Sequence, residues 1–171
     1  MLTALLMASI VAGQVGENRL TPQDFQEYGE LMVGRWIGDV TLVADLGFGK
    51  KGAKVVAHLT VRWIADRKGL EAEVFGGSGT GRSFIFLDPG SGTIKEYRVS
   101  SDGAANSLEI QKKDGTWVWH NTGHLDDGTP FEGNGETIVS ASKDTMTQVG
   151  TGTIGGKSML PLKDVYRKMS K

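Results

Sequence analysis

A chain of 171 residues with 19 Lys plus Arg and 20 Asp plus Glu has a net charge of −1; it suits one domain with one substantial core, and its near-neutrality argues against a dedicated nucleic-acid binder. Cysteine is absent, which excludes disulfides, thiolate zinc sites and cysteine nucleophiles. The 25 glycines against 4 prolines, without a collagen period, point to many turns and bulges.

Leu2 to Val11 is an apolar run with the character of a secretory h-region, and Val11-Ala12-Gly13 offers a small-residue cleavage site, although no Lys or Arg precedes the run. It is too short to span a bilayer, so no integral membrane segment is expected. The expected organisation is a signal peptide or N-terminal segment over 1–16 and a single domain over 17–171. The expected location is periplasmic or secreted, with the cytoplasm as the alternative if the run is a native helix.

Thr21-Pro22-Gln23-Asp24 reads as a helix start, with Thr21 as cap, Pro22 at the first position and Asp24 in place of the usual capping Glu. Phe25, Tyr28, Leu31 and Met32 then form an apolar stripe, and Gly34 can end the helix. Gly34-Arg35-Trp36-Ile37-Gly38-Asp39-Val40 opens the first strand, with Trp36, Val40 and Leu42 on one face. Gly34 and Gly38 are expected to leave room beside the indole for a crossing backbone.

The alternation Val55, Ala57, Leu59, Val61, Trp63, Ala65 marks a second strand over 53–65. Further strands are predicted over 70–75, 82–87, 93–100, 104–112, 116–125, 130–139, 145–154 and 159–167, separated by turn sequences such as Asp66-Arg67-Lys68-Gly69, Asp102-Gly103, Asp114-Gly115 and Gly155-Gly156-Lys157. One leading helix and eight to ten hairpin-linked strands predict an all-β fold: a single antiparallel up-and-down β-barrel with its first and last strands paired. A two-sheet sandwich is the alternative.

Gly34-Arg35-Trp36 after a short helix resembles the Gly-x-Trp opening of the lipocalin-like, or calycin-like, group. More narrowly, Val33 to Gly38, Trp63, the Asp88-to-Tyr97 element and Asp114-Gly115-Thr116-Trp117-Val118-Trp119 are similar, in that order, to the motifs of a bacterial lipocalin-like family of unknown function. Val33 stands where that pattern has Leu, and the Asp88 element is loosely spaced. The resemblance spans roughly residues 25 to 168. It implies the barrel and an apolar-ligand cavity; it implies no reaction and no catalytic residue.

No catalytic motif is evident. Ser78, in Gly76-Gly77-Ser78-Gly79, lacks the strand–turn–helix of a hydrolase elbow, and the same loop lacks the ending of a phosphate loop. His120 and His124 share a strand face, but four extended residues span about 13 Å, too far for one zinc ion without a bulge. His58 and His120 lie opposite the tryptophan faces, so haem ligation is not expected either. No metal and no cofactor is assigned. Glu71 with Glu73, and Glu132 with Asn134 and Glu136, read as barrel exterior. Glu96 and Arg98 share a face with Ile94; inward, they would form a buried pair able to orient a ligand's polar head.

The distinctive feature is aromatic. Trp36, Trp63, Trp117 and Trp119 fall in three strands, joined by Phe75, Phe84, Phe86 and Tyr97. They either fill the barrel or line a cavity. The expected function is non-catalytic binding of a small, largely apolar molecule by Trp36, Trp63, Tyr97, Trp117 and Trp119, with Tyr97 preferred over Arg98 for orientation and Phe48 as a portal. The alternatives are an isomerase or hydratase using Glu96, Glu136 or Tyr97, and a structural protein with a filled barrel. The chain is expected to be a monomer or a homodimer, the latter through an external apolar patch beside Val56 and Ile64.

Overall fold

The computed structural model describes residues 19–43, 45, 49–77 and 79–170. The proposed leader, the Phe48 portal and Ser78 lie outside the described residues.

Thr21 starts the helix α1 (Pro22–Met32) through a reciprocal capping box: Asp24 N–H donates to Thr21 Oγ1 at 3.2 Å, and Thr21 N–H donates to Asp24 Oδ2 at 2.8 Å. Pro22 occupies the first turn, where its missing N–H costs nothing. Phe25, Tyr28, Gly29 and Met32 form the buried face of α1.

The strands follow as β1 (Gly34–Thr41), β2 (Lys54–Ile64), β3 (Gly69–Gly76), β4 (Gly79–Asp88), β5 (Thr93–Ser100), β6 (Ala105–Lys113), β7 (Thr116–His124), β8 (Pro130–Val139), β9 (Thr145–Ile154), β10 (Lys157–Ser158) and β11 (Leu162–Lys168). Every neighbour is antiparallel. Consecutive strands pair from β1 to β9, β9 pairs with β11, and β11 returns to β1. Trp36 stands opposite Lys168, and Gly38 opposite Tyr166. The ring of ten is closed, which sets aside the sandwich; β10 is a two-residue extension beside β9. The last long strand begins at Leu162 rather than Met159, because Pro161 has no N–H to give a ladder.

Strict alternation decides what faces inward. Trp36, Gly38 and Val40 do so on β1; Ala57, Leu59 and Val61 on β2; Ile94, Glu96 and Arg98 on β5; Trp117 and Trp119 on β7. The space beside Gly38 takes the Tyr166 ring, whose Cδ1 would lie 2.5 Å from a Cβ there, and the space beside Gly34 takes the Lys168 side chain. Side chains, not a crossing backbone, use the room.

The helix seals one end. Trp36 is fully buried and donates its indole N–H to the Met32 carbonyl at 2.8 Å. Phe25 meets Trp63 edge-on with centroids 5.8 Å apart, and Tyr28 meets Trp117 at 5.0 Å. A cation covers each of these three indoles: Lys168 over Trp36, Arg67 over Trp63 and Lys112 over Trp117. The turn after β2 fastens the helix from outside. Ala65, Asp66 and Arg67 have φ of 49°, 52° and 64°, a left-handed run that L residues disfavour. Arg67 there pairs with Glu30, and Gln26 exchanges two hydrogen bonds with Arg67.

Candidate functional site: the barrel cavity

Above the helix-sealed end, the barrel encloses a cavity of about 370 Å³. Met32 and Tyr28 form its floor; Val40, Leu59, Val74, Leu108 and Trp119 are among its walls. Its mouth lies at the other end, near Leu42, Leu125 and Ile154. A volume above 300 Å³ is within the usual range for a small-molecule pocket.

The four tryptophans divide between two tasks. Trp36, Trp63 and Trp117 belong to the plug described above. Trp119 lines the cavity. Its indole lies across Gly135 and Gly150, which stand side by side on β8 and β9; a Cβ at Gly150 would come within 2.6 Å of Trp119 Cη2. Glycine is needed at both positions for the ring to rest on backbone. Among the described residues, the Trp119 indole N–H has no protein acceptor.

Tyr97 corrects the sequence reading. It is on the outer face, 54% exposed, stacked on Phe86 with centroids 6.0 Å apart. Phe75 and Phe84 also face outward. The inward residues of β5 are instead Glu96 and Arg98. Arg98 donates to Glu96 Oε1 at 2.6 Å, and the Glu96 side chain is 6% exposed. The Arg98 side chain is 38% accessible, and it lines the cavity. The guanidinium charge is held up by the neighbouring carboxylate, which raises the Arg98 pKa against the effect of burial.

Two tyrosines flank this pair. Tyr28 and Tyr166 are buried residues that line the cavity, and burial pushes both pKa values up, that of Tyr166 to about 12. Arg98 is near enough for its charge to draw both back down. On the other side of Tyr166, Asp164 is 5% exposed and lines the cavity. Its Oδ1 accepts from Thr41 N–H at 3.2 Å, and burial pushes its carboxyl up to about 6. Sequence reasoning missed Asp164 because a lone Asp between Lys163 and Val165 in a terminal strand carries no signal beyond parity with Tyr166.

Other candidates lie elsewhere. Glu71 and Glu73 form an outer ladder with Arg62 and Arg82. Glu136 shares the outer parity of β8 with Glu132 and Asn134, and Asn134 and Glu132 meet His120 there. None of the three histidines lines the cavity. Among the described residues, no group of three metal-ligating side chains converges, and no helix is long and apolar enough to cross a membrane.

A closed ten-stranded antiparallel barrel with one short helix is consistent with a calycin-like, or lipocalin-like, fold. No protein-family model matches the chain, and neither does any curated protein sequence.

Proposed function

We propose that this protein binds a small, largely apolar ligand inside the barrel and performs no chemistry on it. The observation that carries this reading is the cavity of about 370 Å³, walled by aliphatic side chains and Trp119 and ending on a few polar groups. Apolar walls supply affinity at roughly 25 cal/mol for each Å² of ligand surface removed from water, and the polar groups set orientation. Of the five residues expected to bind, Trp119 is retained at the site, and Arg98 takes the orienting role expected of Tyr97. The test is titration with the neutral fluorophore N-phenyl-1-naphthylamine. Saturable binding is expected, reduced at least tenfold by Ala57→Leu, which extends a wall residue into the space. Unsaturable or absent binding to the folded protein would end the proposal.

A catalytic reading has one specific support, the Asp164 carboxyl with its pKa pushed up to about 6 inside the cavity beside Tyr166. In that reading Asp164 serves as the base of an isomerase or hydratase, in place of Glu96, which is held by Arg98, and of Glu136 and Tyr97. It requires Asp164-dependent exchange of the α-hydrogens of a bound ketone in heavy water, read by NMR. No exchange above that of Asp164→Asn would leave binding alone.

A further inference from the structure

The cavity floor has an unusual balance of donors and charges. Arg98 carries five N–H donors, and among the described residues one of them is used, on Glu96. Tyr28 and Tyr166 line the same space and sit within the field of the guanidinium. The floor therefore has donors to spare and needs an acceptor. It does not need a negative charge. Arg98 is the one basic side chain lining the cavity among the described residues, and Glu96 already neutralises it. Two further carboxyls add to the acidic side: Asp164 beyond Tyr166, and Asp102 at the mouth. Glu132, also near the mouth, turns outward to His120.

We propose that the group this floor receives is an uncharged carbonyl oxygen, that of a ketone, ester or amide on an apolar skeleton, bound to Arg98 with the tyrosine hydroxyls beside it. The inference rests on the binding reading above and adds the ligand's class. A carboxylate would bring a further anion to a pair that is already balanced, with Asp164 and Asp102 repelling it. An ammonium would face the guanidinium and leave its donors without an acceptor. A carbonyl satisfies the donors and leaves the charge balance of the floor unchanged. Specificity of this kind comes from the penalty for leaving buried polar groups unpaired as much as from the new hydrogen bond itself.

The test is competition against N-phenyl-1-naphthylamine at pH 8 with ten-carbon probes: decane, 2-decanone, decanoic acid and decylamine. The folded wild-type protein should take 2-decanone about tenfold more tightly than each of the other three. Two variants separate the causes. Arg98→Met should bring 2-decanone and decane within about threefold of each other. Glu96→Gln removes the guanidinium's ion-pair partner while Asp164 and Asp102 remain, and should narrow the gap between ketone and acid to about threefold. If either variant fails to fold, the wild-type order alone decides. Decanoic acid or decylamine ahead of 2-decanone would overturn the proposal, as would decane equal to 2-decanone; in each of these cases the binding reading would stand. Failure of the fluorophore to bind saturably to the folded protein would bring down the binding reading itself, and this inference with it.

Discussion

Trp36 gives its indole N–H to the carbonyl of Met32, the last residue of α1, at 2.8 Å. One bond thus ties the first strand to the end of the helix that precedes it, and it uses the polar edge of a ring that a ligand would otherwise meet. A fully buried Trp with a satisfied N–H is a structural part. Trp36→Phe removes the donor, leaves a helix-terminal carbonyl unpaired and opens a void. The expected loss is about 3 kcal/mol, read from chemical denaturation. Ligand affinity measured in the folded state should change less than threefold, since Trp36 does not line the cavity.

Gly29 reverses an ordinary rule. Gly to Ala inside a helix normally stabilises by about 1 kcal/mol. Here a Cβ on Gly29 would overlap the Trp63 ring, which packs directly on the helix backbone. Gly29→Ala should therefore lower stability by about 2 kcal/mol, because the helix must lift or the indole must leave its place. An unchanged or raised melting temperature would mean that the helix does not hold the plug together.

The helix and the barrel were legible because each rests on strong local chemistry, whereas Trp36, Trp63 and Trp117, read as ligand-binding, form the plug instead. Thr21 with Asp24, the Phe25–Tyr28–Met32 stripe and the Val55-to-Trp63 alternation each favour one conformation. The floor was not legible, and β5 shows why. Ile94, Glu96 and Arg98 occupy one face of that strand and Lys95, Tyr97 and Val99 the other. By hydrophobicity the Tyr97 face should be buried, yet Tyr97 and Val99 are 54% and 58% exposed while Glu96 is 5% exposed. Local preference and final placement disagree where a cavity needs polar groups, which is where such conflicts are expected. On β4, Phe84 and Phe86 alternate with Ile85 and Leu87, so parity alone could not choose a face.

Asp164 should make stability fall with pH. The carboxyl's ordinary value is 3.8, and burial raises it to about 6 in the folded protein. The folded chain therefore holds the proton more tightly than the unfolded chain. The contribution of this group is fully present below about pH 4 and is lost as pH rises through about 6. Thr41 N–H and Gln148 stand on the neighbouring strands, and Tyr166, with Arg98 beyond it, lies along the same one. Asp164→Asn removes the titration. At pH 8 the variant should be more stable than wild type by on the order of 2 kcal/mol, and the difference should shrink towards pH 4. Parallel denaturation curves with no pH-dependent gap would show that Asp164 is solvated.

Trp119 is the indole that should report a ligand. It alone of the four tryptophans lines the cavity, and Gly135 and Gly150 let it lie flat against the wall. The indoles of Trp36, Trp63 and Trp117 are turned to the helix and to Lys168, Arg67 and Lys112. Occupation of the cavity should therefore shift the emission of Trp119 and leave the other three nearly unchanged. In Trp119→Phe the ligand-induced emission change should disappear, while the plug keeps the protein folded. Gly150→Ala adds a methyl group where the ring rests and drives the indole towards the ligand's space, so affinity should fall by about tenfold. A ligand signal that survives Trp119→Phe but vanishes in Trp117→Phe would place the bound molecule at the helix end, against the assignment of three tryptophans to the plug and one to the wall.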